Sequence, residues 1–196
     1  MEPRQSKLRV VELAQPSRAL PLPESPPESL PAAGAPPLES AFRQYASYVA
    51  AIALRVLGRD DEVDDVVQDV FLSAVKGADQ LRQREAFKAW LATVTVRVTR
   101  RRLRMRRLRS FCGLYHPTDY ENVAASGASP EDRAFLARVY RILDTLPVEQ
   151  RIAWALRHVN GDALDAIAQA CGCSLATVKR RIAAAQAAVE SAVSDV

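Results

Sequence analysis

Apolar residues recur at helical spacing through almost all of the chain beyond its N-terminal segment. Between residues 41 and 57 they fall three or four positions apart and the run ends at Gly58, as in an amphipathic helix. A second run follows a cap at Asp60 or Asp61 and ends at Gly77. This pattern predicts an all-α chain. The predicted buried faces are Phe42, Tyr45, Val49, Ile52, Ala53, Val56 and Leu57 in the first helix, and Val63, Val66, Val67, Val70, Phe71, Ala74 and Val75 in the second.

A third predicted helix begins near Glu85 and runs into an arginine-rich stretch. Residues 97–109 contain eight arginines and no acidic residue. Arginines this dense repel one another unless an anion is present, so the stretch is a poor way to stabilise a fold. Residues 41–110 hold fifteen basic and eight acidic side chains, a net charge of +7 against +4 for the whole chain. Binding to a nucleic-acid backbone is therefore the expected use. The predicted buried face of this helix is Phe87, Trp90, Leu91, Val94 and Val98.

The C-terminal part of the chain carries the signals of four more helices. Ser129 as a cap, with Pro130 at the first helical position, predicts one helix start, and Pro147 opens the next helix. A short helix is expected over 162–170, with Asp162 available as its cap. A fourth helix is expected to begin after Ser174.

The last two of these helices have the spacing of a helix-turn-helix. Gly172 lies in the short turn between them and can adopt the positive φ that such a turn requires. The second helix carries three consecutive basic residues, 179–181, which are predicted to be exposed. This layout indicates a DNA-reading element.

Two segments fall outside the helical pattern. Residues 1–37 contain nine of the twelve prolines, and each proline fixes φ and removes a backbone donor. We therefore expect residues 1–39 to be a mostly disordered arm and residues 111–129, which lack periodicity, to be a flexible linker. The remaining segments, 40–110 and 130–196, are then two small helical domains.

Composition excludes several functional classes. The sequence has neither the G-x-G-x-x-G fingerprint nor a Walker-type loop, and its two histidines lie near no nucleophile motif, which argues against a nucleotide-dependent or hydrolytic enzyme. Three cysteines are too few for a disulfide framework and indicate a reducing, cytoplasmic setting. We expect no catalytic residue, no metal site, no cofactor and no small-molecule substrate.

Four motifs resemble those of bacterial sigma-70 family factors. Residues 64–71, DDVVQDVF, resemble the D-x-V-Q-E-x-F signature of region 2, and residues 86–91, AFKAWL, resemble the F-x-x-W-L start of the promoter-melting helix. Residues 143–151, LDTLPVEQR, are similar to the L-x-x-L-P-x-x-x-R entry of region 4. Residues 167–181 resemble its closing I-A-x-x-x-G-x-S-x-x-T-V-K-x-R pattern. With regions 2 and 4 alone, the resemblance is to the extracytoplasmic-function (ECF) group.

The resemblance implies a sigma factor that binds core RNA polymerase through the β′ clamp and the β flap. It would recognise the −10 and −35 promoter elements and promote DNA melting. The family's contacts to the β′ clamp helices fall on Asp64, Asp65, Gln68, Asp69 and Phe71. Phe71 also lies in the apolar stripe, so a purely structural role stays open for it.

The resemblance assigns two further sets of residues to promoter DNA. The loop 81–85 and the helix after it would engage and open the −10 element, through Arg82, Arg84, Lys88, Trp90, Arg97, Arg100, Arg101 and Arg104. Trp90 lies in the apolar stripe, which favours packing in the core over contact with a base. The −35 element would be contacted by Ser174, Thr177, Lys179, Arg180 and Arg181.

This sequence departs from the family pattern at three places. Arg97 and Arg101 replace what is often a small polar or amide residue, which leaves the −10 preference open. The helix over 162–170 lacks the usual preceding Ser or Thr, and the proline-rich arm is atypical.

Two other interpretations remain. A free-standing helix-turn-helix regulator would bind DNA without polymerase, and reversing the charges of Asp64–Asp69 would then have little effect. A metal sensor, with ligands from Cys112, His116, His158, Cys171 and Cys173, is the weaker alternative because their spacing matches no standard zinc pattern. For a sigma factor, the family resemblance further implies an anti-sigma partner, often membrane-bound, and a cytoplasmic location with sequestration at the inner membrane.

Overall fold

The computed structural model describes residues 38–77, 85–113, 120 and 129–194. Within those ranges the chain forms seven α-helices and no β-strand, which confirms the all-α prediction. None of these helices is both long enough and apolar enough to cross a bilayer. The expected arm, the loop 78–84 and most of the expected linker lie outside the described residues. The helices are α1 (Leu38–Leu57), α2 (Val63–Gly77), α3 (Glu85–Phe111), α4 (Pro130–Thr145), α5 (Val148–His158), α6 (Leu164–Cys171) and α7 (Leu175–Ser194).

Helices α1, α2 and α3 pack on one another as an N-terminal bundle. Their predicted apolar stripes form its core, with Ile52, Val66 and Leu91 each at most 1% exposed. Two predicted core residues are instead exposed, Phe42 at 46% and Val75 at 54%. Phe42 lies in the first turns of α1 and only the edge of its ring meets Phe71, while Val75 lies in the last turn of α2.

Helix α3 is buried on more than the one face that its periodicity predicts. Val96 and Thr99 are fully buried although they lie off the predicted stripe. The hydroxyls of Thr95 and Thr99 donate to the carbonyls of Leu91 (2.7 Å) and Thr95 (2.9 Å), so these buried polar groups are satisfied. The reason is tertiary: α3 contacts α1 and α2 on one side and α5 and α6 on the other.

Helices α4 to α7 form a C-terminal bundle. Ser129 caps α4 as predicted, since its Oγ accepts from the backbone N–H of Asp132 at 3.1 Å and Pro130 follows it. Trp154 is buried at the centre of this bundle and donates from Nε1 to Gln186 at 2.9 Å. Tyr120, from the expected linker, is buried as well and stacks on Tyr140 with ring centroids 5.4 Å apart.

The turn between α6 and α7 has the predicted geometry. Gly172 has φ of +64° and ends α6, and Ser174 Oγ accepts from the backbone N–H of Thr177 at 3.3 Å. The expectation that Asp162 caps α6 is wrong. The helix begins two residues later, with Ala163 at the cap position and no side-chain cap bond, and the Asp162 carboxylate accepts from Asn160 at 2.8 Å.

The two bundles share one apolar core. Helices α5 and α6 pack against α1 and α3, so Ile152 and Ile167 belong to the same buried cluster as Val56 and Leu91. The contact is close at Gly58, which has φ of +73° and lies against the ring of Tyr140. Tyr140 also donates from its hydroxyl to the carbonyl of Arg55 at 2.7 Å.

We expect Gly58→Ala to destabilise the chain and to push the bundles apart. A positive φ costs an L residue about 1–2 kcal/mol, and a Cβ at this position would lie 2.6 Å from Tyr140 Cε1. Gly161→Ala is the matched control, because its φ is +79° but no atom lies within 4 Å of the added Cβ. Thermal unfolding of both variants measures the difference, and equal losses of stability would contradict the proposed role of the Tyr140 contact.

Candidate nucleic-acid interface

The arginines of residues 97–109 on α3 differ in whether their side chains have partners within the molecule. Arg97 and Arg101 are exposed and have no side-chain partner among the described residues. Five others find partners inside the molecule, on α1, α2 and the C-terminal bundle: Arg100, Arg102, Arg104, Arg106 and Arg107. The expectation that this stretch contributes little to the fold is therefore wrong for those five, because tertiary folding supplies the anions that the stretch itself lacks.

Two of these arginines join α3 to α2 and to the end of α1 with the turn that follows it. Arg102 Nη2 lies 2.8 Å from Asp69 Oδ2, and its Nη1 lies 3.5 Å from Asp65 Oδ2. Arg106 is buried, with Nη2 2.9 Å from Glu62 Oε1 and Nη1 donating to the Leu57 carbonyl at 3.4 Å. These bonds hold the C-terminal half of α3 along α2.

One carboxylate on α5 gathers three arginines. Glu149 Oε1 accepts from Arg104 Nη2 at 2.8 Å, and Glu149 Oε2 lies 3.2 Å from Arg100 Nε and 3.8 Å from Arg181 Nη1. Arg100 also donates to the carbonyl of Cys171, at the end of α6, at 3.1 Å. We call Glu149 with Arg100, Arg104 and Arg181 the Glu149 cluster. It joins the predicted −10 residues to a predicted −35 residue.

The predicted polymerase-binding residues lie on one side of α2, with one exception. Asp64, Asp65, Gln68 and Asp69 are exposed, and Asp64 and Gln68 have no side-chain partner among the described residues. Phe71 is 5% exposed and packs against Phe42, so in this structure it holds α2 in place rather than presenting its ring to solvent.

Beside this acidic side lies a groove between α2 and α3 of about 650 Å³. Its walls carry exposed apolar side chains, Leu72 (61%) and Met105 (46%), next to Arg101 and Arg102. Sequence reasoning did not single out these apolar residues, which lie outside the predicted apolar stripes of both helices. The acidic side therefore borders a surface that can bury apolar area in a complex.

The remaining −10 residues lie around the start of α3. Trp90 is half-buried and stacks on Phe87, with ring centroids 5.9 Å apart, in agreement with the packing role that its position in the stripe favours. Lys88 is exposed and its Nζ lies 4.8 Å above the ring of Tyr48. Arg82 and Arg84 lie outside the described residues.

The −35 residues lie on the first turns of α7. Ser174, Lys179 and Arg180 are exposed, and Thr177 is half-buried with its hydroxyl 2.9 Å from Ser174 Oγ. The prediction that Arg181 is exposed is wrong. It is half-buried, because its guanidinium donates to Cys173 Sγ at 3.3 Å and faces Glu149.

Arg151 has a structural role that sequence reasoning missed. It is 2% exposed, and it donates from Nε to the Val56 carbonyl at 3.0 Å and from Nη2 to the Leu57 carbonyl at 2.6 Å. Its Nη1 donates to Asp144. These carbonyls end α1, where the helix dipole favours a cation. Arg151 closes the L-P-x-x-x-R motif, but nothing in the sequence indicates that it reaches the other bundle.

The cysteines and histidines do not assemble into a metal site in the described part of the chain. No group of three or more His, Cys, Asp or Glu side chains there is placed to hold an ion, and His116 lies outside the described residues. Burial raises the pKa of the Cys171 thiol to about 11, so this side chain is a protonated thiol near neutral pH.

Comparison with known protein families accounts for both bundles. Residues 41–109 match the family model described as Sigma-70 region 2, and residues 136–188 match the model described as Sigma-70, region 4. The chain belongs to the sigma-70 family. A chain that carries both regions is not explained by a free-standing helix-turn-helix regulator, so that alternative is not favoured.

The curated relatives that this sigma factor resembles include proteins named ECF sigma factors. It is 29% identical over 159 residues to the ECF RNA polymerase sigma-E factor of Escherichia coli (strain K12), covering 76% of this chain and 83% of the relative. It is 30% identical over 160 residues to the ECF RNA polymerase sigma factor SigE of Mycolicibacterium smegmatis, covering 76% of this chain and 59% of that protein.

Two solved structures have a fold similar to that of this chain. The sigma factor RpoE of Bartonella quintana, solved in complex with the anti-sigma factor NepR, gives a TM-score of 0.57 at 23% identity and covers 80% of this chain and 96% of that one. CnrH, solved in complex with the cytosolic domain of CnrY, gives 0.56 at 24% identity and covers 81% and 88%. These likenesses concern the fold.

We expect Arg151→Met to lower the free energy of unfolding by about 3 kcal/mol, because the Val56 carbonyl loses its side-chain donor and the Leu57 carbonyl and Asp144 each lose one of two. Arg141→Met is the control: Arg141 is exposed on α4, and replacing a surface residue changes stability by about 0.5 kcal/mol or less. Urea unfolding measures both. A loss for Arg151→Met as small as the control's would show that the carbonyl contacts contribute little.

Proposed function

We propose that this sigma factor is the promoter-specificity subunit of a bacterial RNA polymerase. It binds the core enzyme, recognises the −10 and −35 elements and promotes DNA melting for transcription initiation. The observation that carries this proposal is the order of the two matches, region 2 over 41–109 and region 4 over 136–188, in one chain. The chain is not itself an enzyme in this proposal, because the polymerase performs the chemistry.

The polymerase-binding surface is the exposed side of α2. Asp64 and Gln68 are available without breaking an internal contact, whereas Asp65 and Asp69 are shared with Arg102. Together they present carboxylate and amide groups suited to a basic surface of the β′ clamp. Phe71 supports this surface from beneath by packing on Phe42.

The −10 element is engaged by α3. Arg97 and Arg101 are exposed and reach the phosphates of the separated strand, and Arg100 and Arg104 join them once released from Glu149. Lys88 adds a further cation, and Trp90, stacked on Phe87, shapes the surface on which a melted base lies. Arg82 and Arg84, which lie outside the described residues, are assigned to the −10 element in our proposal as well.

The −35 element is read by α7. Ser174 and Thr177 lie at its N-terminus, where backbone N–H groups favour a phosphate. Lys179 and Arg180 extend from the next turn and are long enough to reach base edges or the DNA backbone in the major groove. Arg181 joins them when it leaves Glu149.

The location that we propose for this chain is the bacterial cytoplasm. Core polymerase and the chromosome, which are its proposed partners, are both found there. One structural neighbour was solved in complex with an anti-sigma factor, and this supports an anti-sigma partner for this chain too, including one that sequesters it at the inner membrane.

Run-off transcription tests the proposal directly. Core RNA polymerase is incubated with fragmented genomic DNA of the source organism, with and without this chain. We expect discrete new transcripts whose upstream sequences share two spaced elements. Failure both to produce transcripts and to co-elute with core polymerase would overturn the proposal.

We expect Asp64→Lys to weaken binding to core polymerase about tenfold or more, because it puts a cation against a basic partner surface without touching an internal ion pair. Glu131→Lys is the control, since Glu131 is also an exposed acid in the first turn of a helix, α4. Fluorescence anisotropy with labelled core polymerase measures both affinities. Equal affinities of the two variants would place the contact elsewhere.

We expect Arg180→Ala to reduce transcription from promoters that this chain selects, while leaving its affinity for core polymerase unchanged. The loss of one phosphate or base contact corresponds to about 1–3 kcal/mol of DNA binding. Arg141→Ala, an exposed arginine on α4, is the control. Run-off yields over a range of salt concentrations give the effect, and indistinguishable yields from the two variants would remove Arg180 from the DNA surface.

A further inference from the structure

The groove between α2 and α3 holds more positive charge than its own acids neutralise. Among the described residues, its walls carry six basic side chains and two acidic ones, Glu62 and Asp69. Both acids are already engaged, since Arg106 Nη2 lies 2.9 Å from Glu62 Oε1 and Arg102 Nη2 lies 2.8 Å from Asp69 Oδ2. Three of the basic side chains are exposed and have no side-chain partner in the described part of the chain: Lys76, Arg101 and Arg109. These cations favour an anionic occupant.

The same groove exposes apolar side chains on both of its walls. Leu72 on α2 is 61% exposed and Met105 on α3 is 46% exposed. A nucleic-acid backbone would match the unpaired cations, but its phosphates would bury little of this apolar area. An occupant that carries both carboxylates and apolar side chains matches both features. The groove therefore fits an acidic, apolar peptide better than a phosphate chain.

Residues 20–31 of this chain, LPLPESPPESLP, have that chemistry, and we call them the acidic arm segment. The segment carries three leucines and two glutamates but no basic residue: Leu20, Leu22, Leu30, Glu24 and Glu28. The four basic residues of the N-terminal arm all precede it, between positions 4 and 18. Its five prolines fix φ, so less backbone freedom is lost when such a segment is ordered on a surface.

The chain enters the described structure beside the groove. Helix α1 begins at Leu38, and Phe42 in its first turns contacts Phe71 with ring centroids 4.9 Å apart. Phe71 directly precedes Leu72 of the groove wall. Glu28 lies ten residues before Leu38, a length that spans up to about 33 Å at about 3.3 Å per residue. Helix α2, with 15 residues, is about 22 Å long at about 1.5 Å per residue, so the segment can reach the whole groove.

We infer that the acidic arm segment docks in the groove between α2 and α3 of its own chain. Glu24 and Glu28 pair there with the unpartnered cations, and the leucines pack on Leu72 and Met105. Because the segment is tethered, its high effective concentration compensates for weak individual contacts. Arg101 is also a proposed −10 residue, so the docked segment competes with promoter DNA for it. This competition rests on the proposed function, whereas the docking itself does not.

Zero-length crosslinking of the full chain tests the docking. A water-soluble carbodiimide joins a carboxylate to an amine only where the two are in contact, and Lys76 supplies an amine in the groove. We expect peptide mass spectrometry to find links from Lys76 to Glu24 or Glu28 that disappear at high salt. Lys88 and Lys179, exposed on α3 and α7, are the control amines.

A mixture of ¹⁵N-labelled and unlabelled chains shows whether each link lies within one chain. Links within one chain, confined to Lys76, are the expected result. Links formed only between labelled and unlabelled chains would assign the groove to the arm of a second copy and overturn the inference. Equal linking of the segment to Lys76, Lys88 and Lys179 would also overturn it, because an undocked tether meets all three amines at random.

Oxidation of Met105 by hydrogen peroxide reports whether the segment covers the groove. The variant Glu24→Gln/Glu28→Gln removes both carboxylate charges, and Glu2→Gln/Glu12→Gln makes the same charge change elsewhere in the arm. Each lost ion pair weakens docking by a factor of about two to five, so we expect Met105 to oxidise several-fold faster in the first variant than in the parent chain. The second variant is expected to match the parent. Equal rates in all three chains would overturn the docking.

Affinity for a fluorescent single-stranded DNA of mixed sequence tests the competition for Arg101. We expect Glu24→Gln/Glu28→Gln to bind several-fold more tightly than the parent chain, because docked carboxylates no longer oppose the phosphates. Glu2→Gln/Glu12→Gln has the same net charge and is expected to bind like the parent. Equal gains in both variants would show a general charge effect and overturn the competition.

Run-off transcription with the same chains separates this inference from the proposed function. Links from Lys76 to the acidic arm segment, in a chain that neither binds core polymerase nor transcribes, keep the docking and sink the sigma-factor function. Transcription by a chain that forms no such link keeps the function and sinks the docking.

Discussion

The C-terminal end of α1 is the place on which the arrangement of the two bundles depends. In an isolated N-terminal bundle the carbonyls of Arg55 and Val56 would lose their side-chain donors, and that of Leu57 would keep only Arg106. From the other bundle, Arg151 donates to Val56 and Leu57 and Tyr140 donates to Arg55. A buried guanidinium is tolerated there because the helix dipole and Asp144 compensate its charge. This single contact fixes where α5 lies, and the position of α5 places Glu149 against α3.

Ion pairs at the edge of this contact add to the buried apolar cluster. Glu149 lies against three guanidinium groups, those of Arg100, Arg104 and Arg181, which repel one another less with a carboxylate between them. In the proposed function these arginines have a second anionic partner, the phosphates of promoter DNA.

Local sequence patterns predicted the helices well and the α3 environment poorly. Proline, glycine and capping residues located the ends of α1, α2 and α4 because these signals act within a few residues. Asp162 misled the same reasoning, because a residue that can cap is also able to bond Asn160. Of the candidate site, the exposed residues of α2 and α7 were found from their motifs. The roles of Glu149 and Arg151 were not, because their partners in the N-terminal bundle lie 45 to 95 positions away in the sequence.

The sequence by itself determined the helices, the basic character of residues 97–109 and the order of the two family regions, because periodicity, composition and motif spacing are properties of the chain alone. Only the tertiary structure decided which arginines are free. Arg97 and Arg101 have no side-chain partner among the described residues, while Arg102, Arg104 and Arg106 are paired with carboxylates outside α3. Pairing depends on distances between elements far apart in the chain, and those distances exist only once α5 and α6 have packed on α1 and α3.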